Sequence, residues 1–326
     1  MKVLLLIITV VVGLLVLLEV GLRLALGFGN PLIYITDEKI GYLLAPSQCT
    51  RRFGNRIAIN EYSMRSSMIA LTRPVSTLRV LLLGDSVANG AWWTAQDKTI
   101  SALITTQLEV VVRETSGGES FIPQKSFEHV EVLNASANSW GPRNELAYLQ
   151  RFDTFEAQAV VLLINTDDLF ATAPTSARVG RDRNYPNHKP PLALAEVFSR
   201  YVLPAPAVPE MKAVNAEGGD RVGFNLEAIQ QIQAIAEAAG AQFLLAMTPL
   251  LRELGEPGSR DYELKARVRL TEFTKDQQIS YLDFLPVFND AKTPGMFYRD
   301  HIHLSPQGNQ TVSESLSELI RRSLQL

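Results

Sequence analysis

The stretch LRVLLLGDSVANG, residues 78–90, decides the fold. Its first six residues read as an apolar strand ended by Gly84, and the polar turn Asp85-Ser86 follows at once. The same strand-then-helix rhythm continues outward. Residues 99–113 read as a helix, 130–133 as a short strand, 144–152 as a helix and 159–164 (AVVLLI) as another buried strand. A helix over 225–239 puts Leu226, Ile229, Ile232, Ile235 and Ala236 on one face, with Gly240 suited to its C-terminal cap. A strand over 242–247, a helix over 261–274, a strand over 279–284 and a final helix over 306–323 complete the series. Apolar strands alternating with helices indicate an α/β protein whose parallel sheet is covered on both sides.

Two regions fall outside the rhythm. Residues 29–77 look irregular, with short strand-like pieces such as 56–60 (RIAIN), and are expected to pack on the main domain or to stand it off a membrane. Residues 171–223 hold seven prolines and few periodic signals, which predicts an insertion or lid over one sheet edge. The expected organisation is a leading apolar segment over 1–28, an irregular linker or subdomain over 29–77, and the α/β domain over 78–326.

Residues 3–18 are apolar except Thr9 and Gly13. As a helix that run is about 24 Å long, short of a hydrocarbon core of about 30 Å, and continuation to Phe28 makes it long enough. Glu19 and Arg23 lie four residues apart, where they pair on one helical face. The expectation is a single-pass anchor, with the remaining chain on one side, expected to be extracytoplasmic on the anchor and the family resemblance given below. A cleaved signal peptide is the alternative, because Ala25-Leu26-Gly27 has the small-x-small form. A soluble core helix is disfavoured, being seldom apolar all round for four turns. Lys2 and Arg23 flank the run almost symmetrically, so charge leaves the orientation open.

Composition excludes several classes. With 46% apolar and 20% charged residues in a chain of 326, intrinsic disorder is ruled out as the main state. A net charge of −3 without a long basic run argues against nucleic acid. The single cysteine, Cys49, permits no intramolecular disulfide, Cys-rich zinc site or iron–sulfur cluster.

Ligands of such a sheet sit outside the carboxyl ends of the strands, and four polar segments fall there. In 84–90 (GDSVANG), Ser86 on a tight strand-to-helix turn is placed to attack a carbonyl and to aim its own N–H at an oxyanion. An ordinary Asp/Ser helix cap is the plain alternative. In 300–303 (DHIH), Asp300 is placed to hold one nitrogen of His303 and leave the other free to accept a proton. The same loop admits a metal reading through His301, His303 and Asp300, which no other acidic or histidine cluster completes. The third and fourth segments, 134–142 (NASANSWGP) and 165–168 (NTDD), offer oxyanion donors or simple helix-capping loops.

Together these segments resemble the SGNH/GDSL hydrolase superfamily over roughly 78–326. Gly84, Asp85, Ser86 and Gly90 match its first signature, and Asp300, His303, Leu304, Ser305 and Gly308 match its last. The N-terminal span and residues 53–65 look like the membrane-anchored bacterial members, often linked to envelope polysaccharides. The resemblance implies a three-layer α/β/α fold with about five parallel strands, Ser86 as nucleophile, His303 as base, Asp300 as its partner, and no cofactor or metal. It implies oxyanion donors at Ser86 and at Ser136, where the family has glycine. The family's donor asparagine is replaced here by Asp167, and an ionised carboxylate only accepts hydrogen bonds. Asn165 or Asn138 is the expected substitute donor. Trp92 and Trp140, beside the motif loops, are candidates to stack on sugar rings together with Asn138, or else core side chains. The leading reading is hydrolysis of an ester, an O-acetyl group on an envelope glycan. The alternatives are transfer of acetyl groups to a polysaccharide by the same triad, or glycan binding without catalysis.

Overall fold

The computed structural model describes residues 1–116 and 127–326. Helix α1 (Lys2–Gly21) opens the chain and continues as a π turn over Leu22–Leu26. None of α1 is buried, and at a mean hydropathy of 3.1 it is long and apolar enough to cross a membrane. Glu19 and Arg23 pair at 2.6 Å, as their spacing predicts.

Two antiparallel hairpins follow, β1 (Tyr34–Asp37) with β2 (Gly41–Leu44) and β3 (Gln48–Arg52) with β4 (Asn55–Ile59). Tyr34, Tyr42, Leu44 and Ile57 are buried against the main body, so these hairpins are part of its core and not a spacer.

The centre is a five-stranded sheet of β5 (Thr77–Gly84), β6 (His129–Ser136), β7 (Ala159–Asn165), β8 (Gln242–Thr248) and β9 (Ser280–Asp283). The order is β6-β5-β7-β8-β9 and every pairing is parallel. Period-two alternation sends the side chains of β5 to both faces. Leu78, Val80 and Leu82 meet Ile104 and Leu108 of α3 (Ile100–Ser116) and Leu316 and Ile320 of α10 (Pro306–Leu324). Leu81 and Leu83 face Tyr148 of α4 (Pro142–Phe152), Ile229 and Ile232 of α7 (Arg221–Ala238) and Leu270 of α8 (Asp261–Asp276). Each such side chain contributes about 1.5–3 kcal/mol on burial. The result is the three-layer α/β/α sandwich. Arg79 sits inside β5 at no cost in unpaired donors: it donates to the carbonyls of Ala70, Leu71 and Phe155 and to Glu131.

From β5 the chain moves to β6 at one edge, then crosses back to β7 on the other side of β5. Strand order therefore reverses at the carboxyl end of β5, where open α/β sheets bind ligands. Residues 171–223 carry α5 (Ala193–Tyr201) and α6 (Glu210–Asn215). The part up to the end of α5 lies over the carboxyl ends of the strands, not along a sheet edge, because Arg178, Tyr185 and Tyr201 all line the cavity there. The amides of Ala193 and Leu194, opening α5, donate to Glu19 of α1 at 2.8 and 2.9 Å.

Candidate active site

At Gly84 a Cβ would stand 2.7 Å from the Leu163 carbonyl oxygen, so only glycine lets β5 run against β7 to its last residue. Asp85 then caps α2 (Ser86–Asn89), its Oδ1 accepting from the Val87 amide at 2.7 Å. Helix cap and accessible serine are thus both present, on adjacent residues. Ser86 Oγ lies 3.0 Å from His303 Nε2. His303 Nδ1 lies 2.8 and 3.0 Å from the two oxygens of Asp300. Partial burial pushes the Asp300 carboxyl up, but the amides of His303 and Ile302 and the His303 ring outweigh it and hold the group below its ordinary value. Asp300 is therefore ionised at neutral pH. Trp93 packs edge-on against the His303 ring, centroids 4.5 Å apart.

The oxyanion side differs from the sequence expectation. Ser136 is buried at the end of β6, where its hydroxyl meets Asn134 Oδ1 and the Asn89 amide, away from the cavity. Ser139, three residues on, is the residue that lines the cavity, and its φ of +57° is the left-handed conformation that favours glycine. Its hydroxyl accepts from Tyr185 Oη at 2.8 Å, and its backbone N–H has no acceptor among the described residues. Asn165 is committed elsewhere. Its amide donates to Asp85 and Asp168 at 2.9 and 2.8 Å, and its oxygen accepts from the Asp167 amide, so it has no free donor. Asp167 is exposed on the cavity wall, with no hydrogen bond to its carboxyl among the described residues. Partial burial pushes that carboxyl up, opposed by Arg252 and His301 and reinforced by Glu263 and Glu253. Asn138, Trp92 and Trp140 all line the cavity. Trp140 does not serve as a stacking face: it is buried and its indole N–H donates to the Tyr42 carbonyl at 3.1 Å.

Beneath the serine turn lie three buried carboxyls, Asp85, Asp168 and Glu145. Both Glu145 oxygens lack a partner among the described residues. Burial first, then the nearby Asp85, pushes the Glu145 carboxyl well above its usual range. The folded protein thus keeps a proton that the unfolded chain releases above the ordinary glutamate range, so this group lowers stability as pH rises from there. Glu145→Gln removes the titration. The unfolding free energy of the variant, relative to the unsubstituted chain, should climb between pH 4.5 and pH 8, by at most about 1.4 kcal/mol per pH unit, and its thermal midpoint should climb with it. A difference that stays flat with pH counts against a protonated Glu145.

Arg65 is a structural part of the site that sequence reading missed. It is buried and donates to the carbonyls of Asn89, Ala91 and Thr94 at 2.5–2.6 Å, clamping the loop that carries Trp92 and Trp93. Burial lowers the guanidinium to about 9. Arg65→Met leaves three carbonyls unpaired at about 1–3 kcal/mol each. The thermal midpoint should fall by about 6 °C or more, at roughly 2–4 °C per kcal/mol, and an unchanged midpoint would show that water replaces the clamp.

Ser86, Asp300 and His303 open on a cavity of about 740 Å³. The model of the GDSL-like Lipase/Acylhydrolase family matches residues 82–311. The chain belongs to that family and is an ester hydrolase. In fold it is similar to a protein of Desulfitobacterium hafniense described as lipolytic and of the G-D-S-L family (15% identity, 74% of this chain and 99% of that one, TM-score 0.44). It is also similar to an acetyl xylan esterase (11%, 74% and 99%, TM-score 0.47). A third is an acetylxylan esterase of Geobacillus stearothermophilus (11%, 76% and 94%, TM-score 0.44). No curated protein matches the chain in sequence.

Proposed function

We propose that the chain is a serine esterase with Ser86 as nucleophile, His303 as general base and Asp300 as its orienting partner, acting on O-acetyl groups of an envelope glycan. The observation that carries this is the unbroken line from Asp300 Oδ2 through His303 to Ser86 Oγ, at 2.8 and 3.0 Å, at the reversal point of the sheet. As Oγ attacks the ester carbonyl, its proton passes to His303 Nε2, and Asp300 stabilises the imidazolium. The amides of Ser86 and Ser139 receive the oxyanion, the alcohol leaves with the proton from His303, and water then releases the acid from Ser86 by the reverse sequence. Exposed Trp92 and the size of the cavity support a sugar-bearing substrate.

The test is covalent labelling. A fluorophosphonate should add to the full-length protein at Ser86, found by peptide mass, and abolish acetate release from acetylated xylo-oligosaccharides in step with labelling. Labelling at another residue, or acetate release that survives full labelling, would sink the assignment. Release from p-nitrophenyl acetate but not from the saccharides would keep the esterase and remove the glycan.

A further inference from the structure

The aromatic rings of the cavity form one continuous row. Centroids step from Tyr201 to Phe28 at 6.2 Å, to Phe53 at 5.7 Å, to Trp92 at 5.3 Å, to Trp93 at 5.4 Å and to His303 at 4.5 Å. All six residues line the same cavity. The row starts where the apolar N-terminal helix stops, since Phe28 lies two residues past Leu26. Tyr201 ends α5, the helix that α1 grips through Glu19, and Arg23 adds a bond to the Pro191 carbonyl at 2.9 Å. Leu192, Phe198, Val202 and Leu203 leave an exposed apolar surface on and beside α5. Singly such residues mean little, but a patch joined to a bilayer-length helix lies where the membrane surface would be.

The cavity also carries cations. Arg52, Arg178, Arg183 and Arg200 line it. Glu196 pairs with Arg52 at 2.5 Å and Arg200 at 2.9 Å. Of the carboxylates that also line the cavity, Asp85, Asp167, Asp168 and Asp300 stand at the serine end and Asp182 beside the arginines, and no ion pair joins any of them to Arg178 or Arg183 among the described residues. Arg52 is 7% exposed, yet its Nη1 has no partner, and neither does the buried Nε of Arg183. The Arg178 guanidinium stands 5.6 Å over the Tyr185 ring, with no hydrogen bond or ion pair among the described residues. Buried donors without acceptors cost free energy, and an anionic ligand would satisfy them with charge-assisted bonds.

We propose that the ester is carried by an anionic amphiphile resident in the membrane that α1 enters. Its phosphate sits on the cavity arginines, Arg178 foremost. Its apolar part follows the aromatic row toward the bilayer, and its ester reaches Ser86. This rests on Ser86 being the nucleophile and not on the glycan reading, which a phospholipid substrate would replace. The phosphate belongs either to a phospholipid or to the link between a glycan and a polyprenyl chain, and both present the same chemistry.

The experiment uses the full chain in neutral maltoside micelles. The Ser86→Ala protein is titrated with dioctanoyl phosphatidylglycerol, decaprenyl phosphate or neutral dioctanoylglycerol, and tryptophan fluorescence from Trp92 and Trp93 is read. The expected result is saturable binding of a phosphate-bearing amphiphile at least tenfold tighter than of dioctanoylglycerol. Arg178→Gln should lower that preference about tenfold, and Arg178→Lys should restore most of it. Binding of phosphatidylglycerol alone points to a phospholipid, and tighter binding of decaprenyl phosphate to a lipid-linked glycan. Equal response to the neutral lipid, no saturation, or a preference that survives Arg178→Gln overturns the proposal. Hydrolysis of p-nitrophenyl acetate by the unsubstituted chain beside Ser86→Ala is measured in parallel. Its independence of Ser86 defeats the nucleophile assignment itself, whatever the lipids do.

Discussion

Replacing Ser86 by alanine lowers p-nitrophenyl acetate hydrolysis by about 10³-fold or more, and the thermal midpoint barely moves. The side chain lost is small and half-buried, and among the described residues its hydroxyl hydrogen-bonds only with His303 and Asp85, at 3.0 and 3.3 Å. Little packing goes with it, so the effect falls on chemistry. His303→Ala should cost a similar factor, because the hydroxyl is a weak nucleophile until its proton has somewhere to go. The double variant should be little worse than either single one, since groups that act as a unit are strongly non-additive. Initial rates on purified full-length protein, with circular dichroism as the fold control, check all three. Ser86→Ala retaining a tenth of the rate would remove Ser86 from the reaction. Two single effects that multiply in the double variant would separate His303 from it.

What the sequence made legible follows from how far each feature depends on distant residues. The strand 78–83 and the turn after it are local, because an apolar run and a glycine suffice to define them. The pairing of Asp300 with His303 is nearly local, three residues apart in one loop. Ser139 escaped because its function lies in a positive φ on a residue whose identity does not announce one. Asn165 looked like a free donor because nothing in the sequence says that Asp85, 80 residues earlier, takes its amide. Arg65 looked like surface charge, since its three carbonyl acceptors lie 24 to 29 residues on. The placement of 171–223 over the site depends on contacts between α1 and α5 across more than 170 residues. Apolar periodicity carries no trace of such contacts.

Asp167→Asn raises turnover of p-nitrophenyl acetate by about 10²-fold at pH 8, taking one oxyanion donor as worth about 10²–10³ in rate. The carboxyl lines the same cavity as Ser86 and has no hydrogen-bond partner among the described residues to fix it or neutralise it. When ionised it only accepts hydrogen bonds, and it repels a developing oxyanion. When protonated it becomes a donor, as a carboxylic acid kept neutral in an apolar site can be. Its ionisation is shifted up from the ordinary aspartate range by partial burial. The protonated, donating fraction therefore falls as pH rises through that raised value. The unsubstituted chain loses its third donor on the alkaline side, whereas asparagine donates at every pH. The ratio of variant to unsubstituted rate should accordingly grow between the ordinary aspartate range and pH 8, with the gain in kcat and little change in KM, because the interaction exists only in the transition state. A ratio of one across that range would place Asp167 outside the oxyanion site. A ratio that falls with pH would mean that the carboxylate itself takes part as an acceptor, and Ser86 and Ser139 would then be the whole of the oxyanion site.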